Sequence, residues 1–416
     1  MTEPVLLTAT WSREPVQAGA AQVNYVLIAA KPAAVPVTQD APPLNFCLVL
    51  DRSGSMAGAK IQSLKEAVSD VIGALRPQDV VSIVLFDDTV QVLVPAQVAD
   101  DLAALQNAIE RIAEQGGTAM SLGLEAGLAE LQKFQTPDRV GRVLLLTDGQ
   151  TWGDEDKCRD LAAQIGALGV PVTALGLGDE WNETLLDDLA AASNGQSDYI
   201  ADPDQIGAYF KQTLQTAQTT TIQNARIMLR LLAGVTPRAV YRVMPSIANL
   251  GYKPIGEREV TVSLGEIPQD GASVLVDVML PEREAGNYRI AQAELQYDAP
   301  ALGVAGGKIK LDLPLNFTAD PKASIVNPTI MNTVEKVTAF KLQTRALSEA
   351  EVGNVAGATQ KLRAAATRLL DLGETELAQT MEASADQLEA GGQIKAADQK
   401  AMRYATRKLT QRLEDQ

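Results

Sequence analysis

Between residues 44 and 216, continuous apolar runs alternate with amphipathic ones. The apolar runs are LNFCLVL (44–50), VVSIVLFD (80–87), VGRVLLLTD (140–148), VPVTALGLG (170–178) and a short SDYIAD (197–202). Runs of Val, Leu and Ile without polar alternation predict strands buried on both faces of a sheet. Helical spacing appears between them, in KIQSLKEAVSDVIGAL (60–75), DLAALQNAIERIAE (101–114), MSLGLEAGLAELQKF (120–134), DKCRDLAAQIGAL (156–168) and ETLLDDLAAAS (183–193). Strand, helix and strand in this order require right-handed crossovers and hence a doubly wound, mostly parallel α/β sheet. VQVLVPAQV (90–98) follows its neighbour too closely for a crossover and predicts an antiparallel hairpin, with Asp87-Asp88 shaping its end.

The flanks have a different period. Residues 5–38 and 218–320 carry short alternating runs such as QVNYVLIAA, REVTVSL, SVLVDVML and KIKLDLPLNF, separated by turn residues and without helices. That pattern predicts a β-sandwich. The simplest topology inserts the α/β domain (44–216) between an early part of the sandwich (1–43) and a late part (217–324). From 325 to 416 the pattern is helical, and Gly373 and Gly391-Gly392 divide it into a four-helix bundle.

Composition narrows the chemistry. The chain has 416 residues and no histidine, which removes Ser-His-Asp triads and imidazole metal sites. Cys47 and Cys158 lack metal-ligand spacing and read as buried free thiols, which suits a reducing compartment. MTEPVLLTATW has no basic segment followed by a long apolar one, and no run of about 18 apolar residues occurs. The expectation is a cytoplasmic protein without a membrane span. Net charge is −16, and 44–216 holds 11 basic against 26 acidic residues, whereas 325–416 holds 12 of each. The acidity therefore belongs to the α/β domain, which would repel nucleic acid and favour cations or basic partners.

Three strand ends then draw together. FCLVLDRSGSM (46–56) runs a strand into Asp51, Ser53 and Ser55; GGTAM (116–120) brings Thr118 before a helix; LLLTDGQ (144–150) ends a strand at Asp148. In a parallel sheet, strand C-termini share one edge, where ligands bind at the topological switch point. Taken singly, each residue has a plain role as a helix cap or turn former. Together, two carboxylates and three hydroxyls suit a hard divalent cation, Mg²⁺ first, with Mn²⁺ or Ca²⁺ as alternatives.

In this D-x-S-x-S, Thr and Asp set, and in GLGDEWNETLLDDLA (176–190), the segment 44–216 resembles the von Willebrand factor type A (VWA) domain family and its metal-ion-dependent adhesion site. The resemblance implies that Ser53 and Ser55 bind the metal directly, that Asp51 and Asp148 act largely through water, and that Thr118 joins when ligand is bound. It further implies a bacterial multi-domain protein whose partner offers an Asp or Glu to the metal. Among relatives of that kind, partners include MoxR-like AAA+ ATPases and signalling proteins.

Neighbouring residues leave choices open. Arg52 could pair with Asp148, meet a partner or lie on the surface. Trp152 and Trp181 fall in loops at the same edge and could be contact residues or loop packing, while Asp179 and Asn182 read as caps. Two other functions compete with adhesion. A phosphohydrolase of the haloacid dehalogenase type needs an acidic residue two positions after the first, where this chain has Ser53, and G-x-x-x-x-G-K-[ST] is absent. A structural scaffold would use the metal only to tie loops together.

Overall fold

The computed structural model describes residues 4–33, 42–251, 253–256 and 259–411. The expected passage into the α/β domain at 43/44 is thus visible only from residue 42, because 34–41 lie outside the described residues. So do 412 and 413, at the end of the expected helical tail. The chain divides into two compact units, one built on the α/β sheet and one containing the flanking sheets and the C-terminal helices.

Before the α/β domain come β1 (Val5–Trp11), the two-residue strands β2 (Arg13–Glu14) and β3 (Val16–Gln17), and β4 (Gln22–Pro32). The α/β unit follows as β5 (Leu44–Asp51), α1 (Ala59–Gly73), β6 (Val80–Phe86), β7 (Val90–Val98), α2 (Leu102–Ile109), α3 (Met120–Gln132), β8 (Val140–Thr147), α4 (Glu155–Ala167), β9 (Val172–Leu177), α5 (Glu183–Ala192), β10 (Gln196–Ile200) and α6 (Ile206–Thr219). Its strands lie in the order β10-β9-β8-β5-β6-β7. All neighbours pair in parallel except β6 and β7, the predicted hairpin. β5, β6 and β8 are buried from end to end, as their unbroken apolar sequences require. The chain leaves β5 toward β6 and later returns to β5's other side as β8, so the switch point lies at the C-terminal ends of β5 and β8.

α3 lies close on this sheet. A Cβ on Gly123 would come within 2.6 Å of the Phe86 ring, and one on Gly127 within 2.8 Å of Val49 Cγ2. These two glycines let the helix approach, and the approach fixes the loop carrying Thr118. α6 was not expected from the sequence and runs to Thr219, past the anticipated boundary at 216; Ile206, Phe210, Leu214 and Ala217 enter the main core of the unit.

The other unit holds β11 (Ile222–Leu231), β12 (Thr236–Met244), β13 (Ala248–Asn249), β14 (Lys253–Gly256), β15 (Glu259–Ile267), β16 (Ala272–Leu280), β17 (Gly286–Ala299), β18 (Val304–Thr318) and β19 (Ile325–Val326). With the early strands they form two main sheets, β1-β4-β16-β12-β13 and β14-β15-β11-β17-β18-β3. Each sheet therefore mixes strands from before and after the α/β domain. Trp11 Nε1 donates to the Pro314 carbonyl at 2.7 Å, joining an edge strand of one sheet to the other. The helices α7 (Pro328–Glu351), α8 (Val355–Asp371), α9 (Thr375–Glu389) and α10 (Ala396–Arg407) complete this unit. α7 packs Ile330, Val334, Val337 and Phe340 into one core with Tyr241, Val243 and Leu275 of the first sheet.

Candidate metal centre

β5 carries Asp51 to the sheet edge, and the turn beyond it is held by that carboxylate. Ser53 N–H donates to Asp51 Oδ1 at 2.8 Å, and Thr147 Oγ1 donates to Asp51 Oδ2 at 2.6 Å. Asp51 is fully buried, and this burial pushes its carboxyl up to about 6 despite the hydrogen bonds that favour the charged form. Beyond the turn, the Ser53 and Ser55 hydroxyls lie 3.0 Å apart, and Ser55 Oγ donates to Asp148 Oδ1 at 2.6 Å. Asp148 arrives from β8, whose Leu146 pairs with Leu50 of β5. Parallel register thus brings the two aspartates to one edge.

Backbone bonds draw in the loop carrying Thr118. Gly54 N–H donates to Gly116 O at 3.0 Å, and Gln115 N–H to Arg52 O at 2.7 Å. Thr151 Oγ1 donates to Thr118 O at 3.1 Å. Gly149 marks the space between: a Cβ there would stand 3.2 Å from Thr118 Oγ1 and 3.8 Å from Ser55 Oγ. All five predicted residues lie on these adjoining segments.

The donor chemistry fits a hard cation that keeps water in its shell: neutral hydroxyls outnumber carboxylates, and nitrogen and sulfur are absent. Among the described residues no group of three or more His, Cys, Asp or Glu side chains could hold a metal. Any cation held at this edge therefore depends on the hydroxyls.

Lys60 was missed by sequence reasoning. Its ammonium hydrogen-bonds Asp148 Oδ2, with the lysine side chain 32% and the aspartate 0% exposed. A signal was present, since Lys60 lies in the first turn of α1, where the helix dipole disfavours positive charge.

Arg52 pairs neither with Asp148 nor with the surface. It is buried, with Nε on Asp87 Oδ2 at 2.6 Å and Nη1 on Gln91 Oε1 at 2.7 Å. Burial alone would raise the Asp87 carboxyl, but hydrogen bonds from Thr89 and Arg52 outweigh it, so its pKa is lowered. The tryptophans separate. Trp181 is buried, donating to Gly178 O at 2.5 Å and lying so close to Gly176 that no Cβ would fit there. Trp152 is 81% exposed, four residues after Asp148. Asn182 is the cap of α5, accepting from Leu185 N–H, and Asp179 accepts from the Tyr199 hydroxyl at 2.9 Å. Cys47 and Cys158 are free and buried, both thiols pushed up to about 12 chiefly by burial.

Comparisons with known proteins match two segments of the chain. The von Willebrand factor type A domain family matches residues 45–212, and the Sll0103-like C-terminal alpha-helical domain matches 328–412. The chain is 31% identical over 379 residues to the uncharacterized protein sll0103 of Synechocystis sp., covering 89% of both. It is 32% identical over 170 residues to inter-alpha-trypsin inhibitor heavy chain H1 of Mesocricetus auratus, spanning 38% of this chain but 18% of that one. Two solved structures share the fold along nearly the whole chain. A von Willebrand factor type A protein from Catenulispora acidiphila superposes with a TM-score of 0.78 at 18% identity, covering 96% of each chain. The ArnB paralog VWA2 from Sulfolobus acidocaldarius gives 0.57 at 16% identity, covering 97% of this chain and 98% of that one. Domains of the matched type are generally non-catalytic, metal-dependent protein–protein interaction modules. No helix among the described residues is long and apolar enough to cross a membrane.

Proposed function

Because the chain belongs to the von Willebrand factor type A proteins that carry the Sll0103-like C-terminal helical domain, we propose that its α/β domain binds a protein partner through a divalent cation, Mg²⁺ first. Asp51, Ser53, Ser55, Thr118 and Asp148 would hold the ion. When bound, the ion supplies a Lewis-acid contact for an Asp or Glu of the partner. The observation that carries this reading is the meeting of Ser55 Oγ, Asp148 and Thr118 Oγ1 around Gly149, at the C-terminal edge of the sheet. Three of the five donors are neutral hydroxyls, which leave a hard cation coordination sites that an incoming carboxylate can fill. Trp152, exposed on the adjoining loop, would give such a partner an aromatic anchor.

The loops do not need an ion to hold them. Backbone bonds between Gly54 and Gly116 and between Gln115 and Arg52 already join them, which favours recognition over a purely structural metal. Ser53 in place of a second acid speaks against a phosphohydrolase. We read the protein as a binding module of the cytoplasm, a setting that fits its two free thiols. A MoxR-like ATPase or a signalling protein is the proposed kind of partner.

The test is thermal. Mg²⁺ or Mn²⁺ should raise the melting midpoint of the wild type, and Asp51→Ala should abolish that rise. Partner captured from native lysate should be lost with EDTA or Asp51→Ala. A wild-type midpoint indifferent to both ions sinks the metal reading; capture unchanged by EDTA sinks the recognition reading.

A further inference from the structure

Lys60 occupies a costly position unless its charge has a use. It is the second residue of α1, at the positive end of the helix dipole, and the N-cap residue Gly58 gives that end no side-chain acceptor. The ammonium nonetheless turns toward Asp148 Oδ2, while Asp148 Oδ1 takes the Ser55 hydroxyl. Asp148 thus has one oxygen on a fixed cation and the other facing the serines. Among the described residues Asp51 has no such counter-ion; its oxygens accept from Ser53 N–H and Thr147 Oγ1.

We propose that Lys60 is a tethered counter-charge of the metal centre, which weakens the hold on the divalent ion and keeps the loaded site net positive. This inference rests on the metal reading above and deepens it. Two carboxylates alone would neutralise a dication, and a neutral site surrounded by an acidic domain would repel a further carboxylate. With the Lys60 ammonium in place, the loaded site carries one formal positive charge. A single Asp or Glu from a partner would then neutralise it. By occupying Asp148 Oδ2, Lys60 also keeps that oxygen from the ion, so Asp148 acts through its other side. Lys60 is a positioning and charge-setting residue rather than a metal ligand.

The experiment is a calorimetric titration of the full chain with Mg²⁺ and Mn²⁺, comparing wild type, Lys60→Met, Lys60→Gln and Lys60→Arg. Far-ultraviolet circular dichroism would verify the fold of each, and Lys60→Gln serves where Lys60→Met fails to fold. Removing a charge at this separation should tighten Mg²⁺ binding roughly tenfold or more, even after screening by solvent at a third-exposed lysine. Lys60→Arg should stay within about threefold of wild type. Without metal, Lys60→Met should melt lower than wild type, because Asp148 loses its partner. With saturating metal it should gain more than wild type does. A merely structural lysine would lower the midpoint and leave the dissociation constant unchanged. Unchanged or weaker Mg²⁺ binding in both neutral variants overturns the inference while leaving the metal reading intact. Absence of binding in all four proteins overturns both, and binding by the neutral variants alone supports the inference in its strongest form.

Discussion

At the residue scale, the convergence of side chains at one edge was legible where several residue types coincided, and illegible where only geometry decides. Asp51, Ser53, Ser55, Thr118 and Asp148 could be named from spacing because each ends a strand or opens a helix, and parallel strands bring such ends to one edge. Arg52 could not be assigned, since its partner Asp87 lies on the neighbouring strand's turn and nothing in the sequence distinguishes it from Asp148. Gly149 is the informative glycine. Its conformation does not demand glycine, and a methyl there would intrude 3.2 Å from Thr118 Oγ1 and 3.8 Å from Ser55 Oγ. Gly149→Ala should therefore leave metal-free stability within about 1 kcal/mol of wild type while weakening Mg²⁺ binding roughly tenfold or more. Melting curves with and without Mg²⁺ check both halves. A variant that binds the ion normally would show that the space beside Gly149 is not where the ion sits.

At the element scale, the buried parallel strands were easy to read, because Val, Leu and Ile without alternation leave few other structures open. α6 was harder. Its sequence, IGAYFKQTLQTAQT, is rich in Thr and Gln, residues that in isolation suggest a polar linker. The apolar positions nevertheless recur at Ile206, Phe210, Leu214 and Ala217, with helical spacing and core burial. Phe210 is among the largest fully buried side chains. Phe210→Ala should cost the α/β domain about 3–5 kcal/mol, from lost transfer free energy plus the cavity left behind. Denaturant unfolding of the domain, carried to Thr219 so that α6 is complete, measures this. A loss below about 1 kcal/mol would mean that α6 does not hold the sheet. α2 shows the opposite error: it ends at Ile109, well short of the predicted 114, because boundaries depend on caps that periodicity does not encode.

At the scale of the whole molecule, the described residues include separate cores, one drawn from 44–217 in the α/β unit and another from 241–409 where the first sheet meets the helices. The insertion was legible from the change of period on either side of it. Strand order was not, because pairing between β3 and β18 or β4 and β16 depends on contacts across hundreds of residues. Separate cores predict separate responses. The metal reading places every proposed ligand in the α/β unit, so Mg²⁺ should move one calorimetric transition and leave the other where it was. Acid should act on the second through an identifiable group. Glu294 is buried on β17, hydrogen-bonded by Gln296 and Arg230 and paired with Lys310, and these contacts outweigh burial and hold its carboxyl down at about 2. A carboxyl depressed in the folded state stabilises fully above its unfolded pKa, near 4.5, and loses that contribution as pH falls toward 2. The transition insensitive to Mg²⁺ should therefore drop as pH is lowered from 5 to about 3, and Glu294→Gln should flatten part of that drop while lowering the midpoint at pH 7. Were the variant to retain the full acid sensitivity of the wild type, Glu294 would not be the group that titrates, and the ion pairs around it would contribute little to that unit.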